Sequence, residues 1–189
     1  VIFIVTLFTG LREGDVLGLT WDCVDFEHNT ITIDKQMQLH QEKDMIPYQL
    51  VSVKNSRSRV IAVAPFVMEQ LKRHKVHQAE QRLRAGAMWQ PSDLIFTNEV
   101  GDHITKSSLY RAFKKTAASI GRPDARFHDL RHSYAVAAIR SGDDIKTVQG
   151  NLGHATAAFT LDVYGHVTDE MKRDSASRME AFIKKVSST

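Results

Sequence analysis

Phe127-His128-Asp129-Leu130-Arg131-His132 reads as the opening of a helix. A spacing of three puts His128 and Arg131 on one helix face, and His128 and His132 stand one turn apart. Two cationic or proton-donating groups on one face, near a helix N-terminus, suit a phosphate. The segment also approaches the His-Glu-x-x-His pattern of zinc peptidases. Against that reading, Asp129 replaces the longer glutamate base, and Arg131 would set a permanent positive charge beside a dication. A packing or hydrogen-bonding role fits His132 better than it fits His128.

Three further places stand out on either side. Upstream, Thr9-Gly10-Leu11-Arg12-Glu13-Gly14-Asp15 holds an arginine between glycines at a helix junction, where backbone rather than a mobile helix face positions it. Downstream, Leu152-Gly153-His154 puts a histidine directly after a glycine at an element boundary, and Tyr164 follows ten residues later beside Gly165. Each has an ordinary reading in isolation. Arg12 could pair with Asp15, His154 could cap a helix, and Tyr164 could pack at a helix end.

Periodicity supplies the frame. Val1 to Leu7 is an apolar helix broken by Thr9-Gly10, and Asp15 to Leu19 forms a short second one. The alternation Thr30-Ile31-Thr32-Ile33 predicts a strand, as do Leu50 to Lys54 and Val60 to Val63. The turn Asn55 to Ser58 would join the last two in a hairpin, completing a three-stranded antiparallel sheet. Pro65 opens a helix running to about Ala85, with Val67, Leu71 and Val76 toward its buried side. A loop over 86–102 carries the apolar run Leu94-Ile95-Phe96. Thr105 or Ser107 caps a helix to Ser119, stopped by Gly121-Arg122-Pro123. Another spans His128 to Ser141, and Asp143 or Asp144 caps one through Gln149. Short and long helices follow over 156–163 and 169–185. The fold class is mainly α with a small three-stranded antiparallel β-sheet, in one domain over residues 1–189.

Composition sets the bounds. Apolar residues make up 42% of the 189, enough for one core. The apolar start is too short to span a bilayer and lacks a signal-peptide pattern, so no membrane association is expected. A chain opening directly on a core helix is expected to be N-terminally truncated. The single cysteine, Cys23, excludes an internal disulfide, fits a reducing cytoplasm and reads as an inert packed thiol. Net charge is only +3, but 54–84 and 106–140 each hold eight Lys/Arg against two acids, while 1–53 holds three against eight. Those blocks fit a basic face for a polyanion, or equally solvated helix faces.

Taken in order, Arg-x-Gly-Asp, His-x-x-Arg, Leu-Gly-His and Tyr, with a basic hairpin between the first two, resemble the tyrosine recombinase family, that is, phage-type and conjugative-transposon-type integrases. The resemblance covers nearly the whole chain from Thr9 onward. It implies a cation cluster around one scissile phosphate, with Arg12 and Arg131 on the non-bridging oxygens. His128 and His154 would add donors, and His128 would also help move the tyrosine proton. Lys54 would protonate the departing 5′ oxygen, although Lys35 and Lys43 lie near in sequence. Tyr164 would be the nucleophile and Asp15 a buttress for Arg12 or a nearby histidine. Tyr134 fits packing better, and Tyr48 and Tyr110 stand beside none of the motifs. Arg57, Arg59, Lys106 and Arg111 would hold the DNA backbone.

The resemblance further implies cleavage and rejoining of DNA strands through a 3′-phosphotyrosyl ester, with no cofactor, metal or ATP. Double-stranded DNA is the expected partner. Self-association on DNA is expected too, in a tetrameric synaptic complex with helix 169–185 docked or exchanged between protomers, alongside accessory DNA-bending proteins. The core-binding and arm-binding domains of relatives would be absent, and the place of action would be the bacterial cytoplasm. A type IB topoisomerase shares this chemistry, and a catalytically silent DNA-binding module would share the fold.

Overall fold

The computed structural model describes residues 1–39, 48–53, 58–153 and 169–187. Lys43, Lys54, Arg57, His154, Tyr164 and the helix expected over 156–163 lie outside the described residues. Among them, the order is α1 (Ile2–Thr9), α2 (Glu13–Leu17), a 3₁₀ turn (Trp21–Cys23), β1 (Val24–Asp25), β2 (Thr30–Ile33), β3 (Lys35–Leu39), β4 (Tyr48–Ser52) and β5 (Arg59–Ala62). Then come α3 (Pro65–Ala85), α4 (Lys106–Ser119), α5 (Asp129–Ser141), α6 (Ile145–Leu152) and α7 (Asp169–Ser187). The mainly helical class with a small antiparallel sheet is as the sequence suggests. No described helix is long and apolar enough to cross a membrane.

The strand pairing differs from the expectation. The three-stranded sheet is β1-β2-β5, with Ile31 opposite Ile61, while β3 and β4 form a separate two-stranded ribbon with Met37 opposite Leu50. The expected hairpin between 50–54 and 60–63 is therefore corrected. Burial explains the choice. Ile31, Ile33 and Ile61 are almost fully buried, each worth about 2 kcal/mol, so β2 and β5 are held together by the core beneath them. No described residue of β3 or β4 is fully buried, and the ribbon rests on α2 through β3.

The main core joins α1, α2, the sheet, α3 and α4. Phe3, Phe113 and Phe127 meet edge to face, with centroids 5.5 to 6.2 Å apart. The run Leu94-Ile95-Phe96 is buried, and Ile95 N–H donates to Leu19 C=O at 2.8 Å. On α3 the buried face is Val67, Met68, Leu71 and Gln78. Val76 is 61% exposed, against expectation, because nine residues from Val67 is half a turn round the helix. Gln78, three turns from Val67, is the buried polar group there. It accepts from Trp21 Nε1 at 2.7 Å and donates to Leu94 C=O at 3.0 Å, tying loop to helix. Cys23 is buried, and burial pushes its thiol up.

A smaller cluster of Ala135, Ala138, Ile139, Val148 and Leu152 joins α5 to α6. Asp144 caps α6, accepting from Lys146 N–H at 2.9 Å and Thr147 N–H at 3.0 Å. Burial of Leu152 carries α6 three residues beyond the expected end at Gln149. Thr105 caps α4, accepting from Ser108 N–H at 3.2 Å. Helix α2 packs on β3 with almost no clearance. A Cβ placed on Gly18 would lie 2.7 Å from Gln36 Cα and Met37 N.

Candidate active site

Arg12 sits at the N-cap of α2 in extended conformation, so its side chain leaves the helix start rather than a helix face. Its Nη2 donates to Gly153 C=O at 2.7 Å. Arg131, three residues into α5, is 1% exposed. It donates through Nη1 to Gly10 C=O and through Nη2 to Leu152 C=O at 2.7 Å. Arg59, first in β5, donates through Nε to Asn151 C=O at 2.9 Å. Three guanidiniums from α2, α5 and β5 thus meet the consecutive carbonyls of Asn151, Leu152 and Gly153. Those carbonyls lie at the C-terminal end of α6, where the helix dipole is negative and cations are stabilised.

Asp15 is the carboxylate of this group. Its Oδ2 lies 3.0 Å from Arg59 Nη2 and 4.0 Å from Arg12 Nη1. Burial, then the charges of Arg12 and Arg59, push Arg131 down to about 9, with Asp15 acting the other way. Arg131 therefore stays charged at neutral pH. Arg59, expected on the DNA backbone, has a side chain only 11% exposed and turned inward to Asp15 and Asn151. Nothing local marks that, because its partners lie 44 and 92 residues away.

His128 is the N-cap of α5 and is exposed, its ring 4.8 Å from that of His132 in edge-to-face contact. Burial of its inner edge holds it below the usual histidine range, and the positive neighbours His132, Arg131 and Arg126 add to this. Asp129 is engaged by Arg126, whose Nη2 donates to it at 2.9 Å. Among the described residues, no three His, Cys, Asp or Glu side chains are grouped to hold a metal ion.

The remaining candidates separate clearly. Lys35 donates to Asp22 at 2.7 Å and Thr20 at 2.9 Å, and holds Asp22 down to about 2. Lys106 is half exposed, 3.4 Å from Glu13 and over the Tyr110 ring. Arg111 is exposed on α4. Tyr110 donates to Glu13 at 2.7 Å and is pushed up to about 12, by burial first and then by Glu13. Tyr134 packs beside α6 and accepts from Asn151 Nδ2 at 2.9 Å, while Tyr48 accepts from Lys106 N–H at 3.1 Å. Asn151 is the contact that sequence reading misses. Its amide reaches Tyr134 and its carbonyl reaches Arg59.

Known proteins resemble this chain in sequence and fold. A XerC-like tyrosine recombinase of Caldanaerobacter subterraneus subsp. tengcongensis is 32% identical over 188 residues, covering 94% of this chain and 48% of the relative. The ICEBs1 integrase of Bacillus subtilis is 27% identical, covering 94% of this chain and 47% of the relative. The chain spans about half the length of these curated relatives. In fold it is similar to the Tn1549 transposon integrase in complex with transposon right end DNA. That likeness has TM-score 0.75 at 21% identity, over 94% of this chain and 57% of that one. The XerA recombinase aligns with TM-score 0.67 at 23% identity, over 94% and 57%. The resemblance read from the motifs is borne out. The profile described as the Phage integrase family matches residues 1–171, and the chain belongs to that family.

Proposed function

We propose that this chain is the catalytic part of a site-specific DNA recombinase of a mobile element, cleaving and rejoining strands through a 3′-phosphotyrosyl intermediate. The observation that carries the reading is the gathering of Arg12, Arg59 and Arg131 at the end of α6 around one carboxylate, Asp15. Among the described residues the three guanidiniums gather beside one carboxylate, and their planar donor forks suit the oxygens of a phosphodiester. The chain leaves this cluster at Gly153 directly into His154, and Tyr164 follows within eleven residues of the cluster.

In the proposed step the Tyr164 hydroxyl oxygen attacks phosphorus while the bond to the 5′ oxygen breaks. The phenol proton passes toward His128, and Lys54 protonates the departing oxygen. Arg12 and Arg131 stabilise the five-coordinate phosphorane, with His128 and His154 as further donors; losing one such donor costs a factor of about 100 to 1,000 in rate. Attack by the 5′ hydroxyl of a partner strand then reverses the step. Because the ester conserves bond energy, the chemistry calls for no ATP and no metal. His128 is held below the usual histidine range, by burial first, which favours the neutral ring that can accept a proton.

Double-stranded DNA is the proposed partner, with Arg57, Lys106 and Arg111 toward its backbone, and the bacterial cytoplasm the proposed place of action. We further propose assembly as a tetramer on DNA with α7 docked on a neighbouring protomer, helped by accessory bending proteins. The exposure of Met179, Phe182, Ile183 and Val186 on α7 supports this. To test the chemistry, the chain is incubated with a pool of nicked duplexes of randomised sequence, and covalent adducts are isolated on a denaturing gel and sequenced. A defined duplex joined to Tyr164 is expected, and Tyr164→Phe should abolish the adduct. An adduct persisting in Tyr164→Phe sinks the assignment, and none with any duplex favours a silent binding module. Supercoil relaxation without exchange favours a topoisomerase.

A further inference from the structure

We propose that Arg59 is a positioning residue for strand transfer, fixing the end of α6, the turn at Gly153 and the Asp15 carboxylate with one planar group. This rests on the recombinase reading above. The backbone of Arg59 is set in the sheet, opposite Ile33 of β2. From there the side chain crosses to α6, where Nε donates to Asn151 C=O at 2.9 Å and Nη2 to Asp15 Oδ2 at 3.0 Å. The two bonds use different donors of one rigid fork, so they fix the orientation of the plane as well as its place.

That plane lies on Gly153. A Cβ there would be 2.7 Å from Arg59 Nη1 and 2.9 Å from Cζ, so the guanidinium would have to shift from its bonds to Asn151 and Asp15 to admit it. Gly153 also turns with φ +62, in the left-handed region that favours glycine. The residue is glycine for two reasons, and Arg59 supplies the second. Through this contact β5 sets the direction in which the chain leaves α6 toward His154. Arg12 is set by the same group, since it donates to Gly153 C=O at 2.7 Å and faces Asp15 at 4.0 Å. Arg59 thus acts on phosphate chemistry through Arg12, Asp15 and the α6 terminus. A lysine would keep the charge and lose the fork.

The test uses Arg59→Met and Arg59→Lys in the whole chain. Amide hydrogen exchange is read first and needs no DNA. Both variants should speed exchange over 145–153 and 12–17 and leave α1 and α4 as in the parent. Adduct formation is then measured on the duplex recovered from the randomised pool. The maximal rate at saturating DNA should fall by about 100-fold, the scale of a small misplacement of reacting groups. Affinity and its salt dependence should be kept, and lysine should not rescue the rate. Unchanged exchange overturns the proposal, as does altered exchange beside an unchanged maximal rate. A kept rate with weaker binding, and a salt slope reduced by about one unit, would mark a DNA-backbone contact instead. A parent that forms no adduct sinks the recombinase reading and this role with it. An active parent with indifferent Arg59 variants sinks the role alone. If circular dichroism shows Arg59→Met unfolded, Arg59→Lys carries the same comparison.

Discussion

Arg131 is the largest fully buried side chain among the described residues, an unusual place for a permanent cation. It is tolerated because its fork is filled by two carbonyls from separate elements, Gly10 at the end of α1 and Leu152 at the end of α6. A lysine offers its donors from a single point and cannot serve both. Arg131→Lys is therefore expected to destabilise the fold by about 1–3 kcal/mol, the cost of one buried acceptor left unsatisfied. Urea unfolding checks this, and the variant should also form no tyrosyl adduct. At this scale the sequence is legible in part. The spacing of His128 and Arg131 is local and marks a helix face, so both residues are identified. The destination of the guanidinium, 121 and 21 residues away in sequence, is set only by packing. Arg59 shows the same limit more sharply, since its neighbours in sequence suggest solvent and its neighbours in space are Asp15 and Asn151.

Helices are the legible elements, because caps and periodicity are short-range signals. Thr105 and Asp144 each accept the N–H bonds their positions suggest. Strand partners are less so. Gln36-Met37-Gln38-Leu39 alternates, but with no residue fully buried it lacks the β-branched signature of Thr30 to Ile33, and β3 goes unread. Once β3 is missed, β4 is assigned to β5, its next neighbour in the chain. Helix α7 is legible as an amphipathic helix, and its exposed stripe is the element on which assembly is proposed to depend. Phe182→Glu with Ile183→Glu is expected to leave single-copy binding to the recovered duplex intact and to remove higher complexes, as read by analytical ultracentrifugation with DNA. Undiminished assembly by that variant would dispose of the α7 docking.

Across the whole molecule, the two basic blocks divide. In α3, Arg73 pairs with Glu69 and Arg84 with Glu80, while Lys72 and Lys75 lie over Phe26 and Trp21. The α3 part of that block is largely a solvated helix face, as one of the two open readings has it, while Arg59 of the same block turns inward to Asp15 and Asn151. The second block contains Arg131, inside the cation cluster. Each block thus gives one member to the cluster, Arg59 from the first and Arg131 from the second, and net charge by segment does not say which residue that is. Stability as a whole should depend on two histidines. Burial holds His74, whose Nε2 donates to Ile95 C=O at 2.8 Å, below its ordinary value, and His128 is lowered too. Both take up protons more readily unfolded than folded. Stability is then full above about pH 6.5, the unfolded value, and falls as the pH drops below it. The urea midpoint should be lower at pH 5.5 than at 7.5, and His74→Gln should narrow the difference. An equal midpoint at both pH values would exclude the effect.

Gly18 carries this arrangement into the question of descent. Arg12, Asp15 and Gly18 follow one another at intervals of three. The first two face the cation cluster, and the third presses against the backbone of β3. Helix α2 is already tied to the core through Val16 and Leu17. It is also hemmed in by chemistry on one side and by clearance on the other. Lineages diverging from a common ancestor would alter the outer faces of α3 and α4 well before this helix. In a copy that had lost its arginines and its activity, the glycine three places after the acid would persist, because the strand behind it would still leave no room.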